Sequence, residues 1–349
     1  MGESRLEKYL SNPAKGLWKL AIPVMAGMGI QTIYSIVDMI FIGRLSGNAI
    51  AAVAFNMPLF FFVLGLTFGL GAGVTASIAR FIGAKDKINA DNSAEHAVVL
   101  GLGVSVVLTI VGLIYGKPIL ISIGATPDVV DLSWSYLRVI CIGLPFMVLS
   151  AFFRSILAGE GDTKFPMTVA ALGTVLNIIL DPIFIFKLGF GVPGAAWATV
   201  ISQIIVFIIF VYMLFVKEHS YITFRLKDFK PSSFIMKDII KVGFPASISM
   251  VIMSVGQLVF NRILVHFSTD AVAAYQLGGR IDMVIFLPII SIAYGLTTLV
   301  SMFHGAQEMD KLKYIIKYGL TSSFMITVGI SIIVYACAPQ LIMGFTKDI

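Results

Sequence analysis

Apolar residues fill most of this chain in long blocks, and polar residues fall between them. Read as helices, the blocks give nine spans, at about 17–45, 51–82, 93–116, 129–158, 165–187, 192–217, 242–267, 271–304 and 314–337. Each is long enough to cross a bilayer, which takes about 20 residues. The first 16 residues are polar and read as a surface segment, and the long apolar helix after them reads as a retained first span. One substantial polar stretch breaks the pattern, at 218–241, and reads as a linker carrying a surface amphipathic helix. The chain thus divides into an N-terminal six-helix lobe (1–217), the linker (218–241) and a partial C-terminal lobe (242–349) of three helices and the start of a fourth. The fold class is an all-α polytopic membrane protein.

The two lobes read as copies. Ile22-Pro23 answers Phe244-Pro245 at an offset of 222, NAIAAVAF (48–55) answers DAVAAYQL (270–277), and Gly83-Ala84 answers Gly305-Ala306. At an offset of 220, Gly124 answers Gly344 and Asp128 answers Asp348. An even number of spans per unit makes the copies parallel, an arrangement from which transporters are often built. Two full copies need about 444 residues at that offset, so roughly the last three helices of a complete duplication are expected to be missing from these 349.

Composition agrees with the pattern. The chain is 58% hydrophobic and 13% charged, against about 25% charged in a soluble domain. Cys141 and Cys337 lie in apolar runs, so no disulfide framework is expected, and the four histidines have no metal-ligand spacing. The net charge of +6 is distributed as a topology signal and carries no nucleic-acid footprint. The N-terminus and the loops after the second, fourth, sixth and eighth spans hold 18 Lys and Arg, the opposite loops four. The positive-inside rule puts the N-terminus in the cytoplasm. The glycine-rich second span (GLTFGLGAG) is no P-loop, since the Lys-Ser/Thr is missing; small residues that let helices approach explain it.

The candidate chemistry centres on Thr168–Phe186. This apolar run holds Asn177 and Asp181, four apart and so on one helix face, and then Pro182, which kinks or breaks the helix. A carboxylate at this depth should face a wet cavity or a partner. Asp38 on the first span, Asp181 on the fifth and Thr199 on the sixth each lie about seven residues, or about 10 Å, from the outer end. Asn177 is one turn deeper, and Tyr34 one turn from Asp38. Gathered in one pocket, the two acids would titrate as a pair and suit a proton carrier. The same oxygen set, Asp38, Asn177, Asp181 and Thr199, would suit a hard cation such as Na⁺. No structural metal, cofactor or catalytic set is expected. Arg280 and Asp282 either hold the second lobe together or line its cavity. Arg138 either pairs with Asp131 or snorkels outward. Gln257 and Asn261 read equally as packing or cavity lining.

Five words carry a resemblance: VDMIFIGRLSGNAIAAVAF (37–55), ASIARFIGAKDK (76–87), FRSILAGEGDTKFPM (153–167), LNIILDPIFI (176–185) and GVPGAAWATVISQ (191–203). In this order the chain resembles the MATE (multidrug and toxic compound extrusion) transporters over essentially its whole length. The resemblance implies two six-helix lobes, alternating access and export of organic compounds, cationic or amphipathic, across the cell membrane by a monomer in exchange for H⁺ or Na⁺. The DinF-like branch places the coupling site in the N-terminal lobe, here Asp38, Tyr34, Asn177, Asp181 and Thr199, with Pro23 and Gln31 on a bending first helix. The NorM-like branch uses C-terminal acids, but span 7 has no carboxylate between Asp238 and Asp270. The rivals are a lipid-linked oligosaccharide flippase, which wants a basic cavity, an intramembrane prenyltransferase, which wants a DDxxD-type cluster the chain lacks, and a non-transporting fragment.

Overall fold

The computed structural model describes residues 5–224, 229–265 and 269–343. Its regular elements are helices: α1 (Leu6–Ser11), α2 (Pro13–Gly43), α3 (Gly47–Gly83), α4 (Lys87–Ser122), α5 (Pro127–Gly159), α6 (Lys164–Pro182), α7 (Val192–Val211), α8 (Ser233–Val265), α9 (Thr269–Gly305) and α10 (Met309–Met343). Two π-helical turns, Ile183–Lys187 and Tyr212–Val216, extend α6 and α7. Among the described residues, eight helices are long and apolar enough to cross a membrane. The side chains of Gln257, Asn261 and Arg280, and all of Gly344, Lys347 and Asp348, lie outside the described residues.

The helices outrun the apolar blocks because their ends are capped. Asn12, Ser46 and Asp86 accept from the amides of Lys15, Ala49 and Asn89 at 3.0, 3.1 and 3.1 Å, satisfying first-turn donors that would otherwise end the helix in water. The last nine residues of the linker, 233–241, are helical and run straight into α8. Among the described residues the linker holds no separate surface helix, and Lys237 and Lys241 sit on the first turns of α8. The backbone before α8 is satisfied by α4 side chains instead. Thr223 N donates to Asp91 Oδ1 (3.0 Å), Asn92 Nδ2 to Lys230 O (3.0 Å), and Ser232 N to His96 Nε2 (2.8 Å).

The duplication is written into the helix ends. α3 and α9 are each 37 residues, and the bounds of one map onto the other at the offset of 222. The turns after them match as well. Lys85 and Gln307 both sit in the left-handed region, at φ 57° and 60°, and the amides of Asp86 and Glu308 close back on Phe81 O and Phe303 O at 2.9 and 3.0 Å.

This symmetry forms the seam between the lobes, where α3 packs on α8 and α9, and α2 on α9. A Cβ at Gly73 would lie 2.1 Å from Ile239 O, and one at Gly69 2.2 Å from Ser247 N. At the end of the seam the contact is reciprocal. A Cβ on Gly83 would lie 2.0 Å from Met302 O, and one on Gly305 2.0 Å from Arg80 O. Backbones this close exclude any side chain, which is the use of the glycine-rich span. The Arg80–Asp238 ion pair (2.7 Å) ties α3 to α8 at the same end. Beneath the seam, Leu17, Leu20, Ile78, Phe152, Ile156 and Phe303 form one fully buried core across α2, α3, α5 and α9.

The basic end is stapled by acids. Arg5 donates to Asp162 Oδ2 at 2.8 Å, His219 lies 3.5 Å from the same oxygen, and Phe165 N donates to Oδ1 at 3.1 Å. Burial opposes the Asp162 charge, but the Arg5 hydrogen bond and charge outweigh it and hold the carboxyl below its usual range. Glu160 accepts from the Ser220 hydroxyl and from the amides of Tyr221 (3.0 Å) and Ile222 (3.2 Å). Burial is the larger influence there and pushes its carboxyl up. Tyr9, pushed up to about 12 by burial, donates to Gly161 O at 2.6 Å. Elsewhere Asp131 pairs with Lys117 (2.7 Å), and Arg138 is exposed, so the pairing of Arg138 with Asp131 does not form.

Candidate functional site

Four helices converge in the third of the bundle away from the basic end. α2 contributes Tyr34 and Asp38, α5 Tyr136, α6 Asn177 and Asp181, and α7 Thr199. The spacing of four along α2 and α6 sets each pair on one face. Asn177 Nδ2 donates to Asp181 Oδ1 at 3.1 Å, and the two residues are 4% and 0% exposed. The fields of Asp38 and Asp181 reach each other, and both reach Tyr34 and Tyr136. Thr199 donates to Ala195 O at 3.1 Å, and its hydroxyl lies against the Tyr34 phenol. The cluster expected from depth is thus assembled in the first lobe.

One atom stands apart. Asp181 Oδ2 is fully buried and has no hydrogen-bond partner among the described residues. An ionised carboxylate left so costs several kcal/mol, on the order of 2.5–3.5 on insertion scales, so the group calls for a proton or a cation. With Asp38, Asn177 and Thr199 it offers a hard-cation oxygen set, or a shared proton site.

The backbone changes character at Pro182. Proline cannot donate to the ladder, and here the helix does not stop but widens: Leu188 N bonds Ile183 O (2.8 Å) across the π turn. The expected kink or break is therefore a change of helical pitch directly after the buried acid. Pro23 lies inside a continuous α2, fifteen residues from Asp38 and outside the cluster. Gln31 is exposed on the same helix. Tyr136 is the residue the sequence reading missed. It sits in WSYLR on α5, uncharged, and only the fold brings it to the acids.

These observations define a polytopic helical transporter with a buried acidic site in one lobe. The MatE family matches residues 23–183 and 245–349, two blocks whose starts, Pro23 and Pro245, are 222 residues apart. The chain belongs to this family of multidrug efflux transporters and is not an enzyme. It is 32% identical over 338 residues to the "Probable multidrug resistance protein NorM" of Thermotoga maritima, covering 96% of this chain and 72% of the relative. It is 29% identical over 341 residues to the "Multidrug export protein MepA" of Staphylococcus saprophyticus, covering 97% and 75%. A solved "outward-facing conformation of a multidrug resistance MATE family transporter" superposes with TM-score 0.95 at 36% identity, over 100% of this chain and 77% of that one. A MATE crystal structure "in the bent conformation" superposes at 0.94, over 99% and 77%. These likenesses do not favour the flippase.

Proposed function

We propose that the chain is a DinF-like secondary antiporter of the cell membrane. It exports organic cationic or amphipathic compounds as a monomer, N-terminus in the cytoplasm, in exchange for H⁺ or Na⁺. Asp38 and Asp181 take the coupling ion from outside, with Asn177, Thr199 and Tyr34 completing its shell. Binding neutralises the pair, α2 bends at Pro23, and the cavity beside Gln31 and the Pro182 turn is reshaped. Ion and compound then favour different states, the reciprocity that coupling requires. The observation that carries this reading is the buried, unpartnered Asp181 Oδ2 within reach of Asp38.

The test is dye efflux from vesicles under an imposed pH or Na⁺ gradient, with Asp38→Asn as the control. Gradient-driven efflux that dies in the variant, with folded protein recovered, supports the reading, and the active gradient names the ion. Full activity of Asp38→Asn removes Asp38 from the coupling site.

A further inference from the structure

Pro23 divides α2 into two halves that are held differently. The half before it is gripped, with Leu17, Leu20 and Ala21 buried. A Cβ on Gly295 of α9 would lie 3.3 Å from Leu20 Cβ and 3.4 Å from Leu17 O. Trp18 Nε1 donates to Tyr318 Oη of α10 at 3.0 Å. Beyond Val24 the grip ends. From Met25 to Phe41 no described side chain is buried, and a Cβ on Gly29 would meet nothing within 4 Å. Tyr34 and Asp38 ride on this second half. Proline supplies no N–H to close on Lys19 O, and its ring crowds the turn before it. One carbonyl of that turn has a partner from outside the helix: Thr163 Oγ1 donates to Leu20 O at 2.8 Å, and Thr163 is 2% exposed. Thr163 is the N-cap of α6, where a threonine hydroxyl ordinarily takes a first-turn amide. It makes no such bond here, and Asp162 Oδ1 accepts from Phe165 N in its place (3.1 Å). The hydroxyl is thereby released to α2. One turn past the proline, a Cβ on Gly27 would lie 2.8 Å from Met167 Sδ, so α2 and α6 stay in close contact across it.

We propose that Thr163 is the positioning residue of this hinge. Its hydroxyl holds the Leu20 carbonyl in the turn that Pro23 opens, and so fixes the angle at which α2 presents Tyr34 and Asp38 to Asn177 and Asp181. The bond joins the two helices that carry the acids, just below the point where one of them can pivot. The lever is long. Asp38 lies fifteen residues beyond Pro23, or about 22 Å, so a change of about 10° at the hinge moves it by about 4 Å. That exceeds the length of a hydrogen bond, and it takes the Asp38 carboxylate away from the oxygens around Asp181. Thr163 itself is eighteen residues from Asp181 along α6, or about 27 Å, and acts only through the hinge angle. The bond is made in the geometry where the acids are assembled, so it favours the ion-binding state. The inference rests on the antiport reading in one respect, that Asp38 and Asp181 take the coupling ion together.

The test uses the full chain with the exposed Cys337 replaced by serine and spin labels at Ile40→Cys on α2 and Ile114→Cys on α4, both exposed positions. Label distances are measured in nanodiscs while NaCl is raised at fixed pH and while pH is lowered at fixed NaCl. Dye efflux from vesicles is followed over the same ranges. Thr163→Val keeps the side-chain shape and removes the hydroxyl. It should shift or broaden the label distances and raise the half-saturating ion concentration about fivefold, the scale of one neutral hydrogen bond. Thr163→Ser should keep the distances and stay within about twofold of the unmodified chain. In Pro23→Ala the helix supplies its own donor, so adding Thr163→Val should leave the distances where Pro23→Ala puts them. Thr163→Ala removes the same hydroxyl if the valine variant is not recovered folded. Unmoved distances and ion dependence in Thr163→Val, no rescue by serine, or an equal effect with and without Pro23 each overturn the proposal. Distances that move in Thr163→Val and return in Thr163→Ser, with no gradient-driven efflux from the unmodified chain, uphold the hinge and sink the antiport reading. Gradient-driven efflux with distances and ion dependence unmoved by Thr163→Val does the reverse.

Discussion

The two ends of the first lobe handle carboxylates in opposite ways. At the basic end, both oxygens of Glu160 and both of Asp162 are occupied by donors from the N-terminal segment, the first turn of α6 and the linker. At the other end, Asp181 has one oxygen on Asn177 and the other on no donor among the described residues. Both pairs are buried, so burial alone does not mark a site. The distinction is satisfaction: a fully bonded acid staples chain segments together, whereas a half-bonded one leaves a buried oxygen open to a proton or a cation.

The sharpest way to break this contrast is to remove the charge at each end. Asp181→Asn should take gradient-driven efflux down to the level of empty vesicles. Unfolding stability should stay within about 1 kcal/mol, because the substituted amide oxygen can still accept from Asn177 and no other bond is lost. Asp162→Asn should do the reverse. Losing the Arg5 pair should cost about 1–2 kcal/mol of stability, discounted because Arg5 is about a third exposed. Efflux per folded molecule should be kept. Thermal unfolding and vesicle efflux on both variants check the pair; a stable, active Asp181→Asn would erase the contrast.

Acidity separates the two staples from each other. Asp162 is held low, so the unfolded chain binds more protons than the folded one between the two values. Its contribution is present above the unfolded value near 4 and is lost as pH falls through the folded one. Glu160 is pushed up, so its contribution is present below the unfolded value and is lost as pH rises through the folded one. The unfolding midpoint of Asp162→Asn, relative to the unmodified chain, should therefore recover on acidification. That of Glu160→Gln should recover as pH rises. Parallel shifts for the two variants would contradict the assigned directions.

What was legible in the sequence follows from the bilayer. A membrane fixes helix length and depth, so the succession of long apolar helices, the duplication at 222 and the shared depth of Asp38, Asp181 and Thr199 could be read without any fold. Polar groups in an apolar run also announce themselves, as Asn177 did. Staples between loops do not. Arg5 and Asp162 are 157 residues apart, and nothing in either segment points to the other. The tie between the linker and α4 was not legible either, because Asp91, Asn92 and His96 carry no mark of the backbone groups they meet. Pro23 and Gln31 came from the resemblance alone, and Pro23 lies apart from the acids.

Tyr136 gives the smallest and most discriminating effect. It carries no charge, lies among Trp134, Ser135 and Leu137, and was invisible to reasoning from depth or motif. Yet the charges of both acids act on its phenol, on a helix that supplies no other member of the cluster. If the half-bonded carboxylate is a working site, a nearby phenol should tune ion occupancy without being required for it. Tyr136→Phe should slow efflux by about threefold, or about 0.7 kcal/mol, and shift the half-saturating ion concentration in the same proportion. The maximal rate at saturating gradient should be unchanged. A loss of maximal rate with no shift in ion dependence would make Tyr136 a packing residue, and the site would then be bounded by α2, α6 and α7 alone.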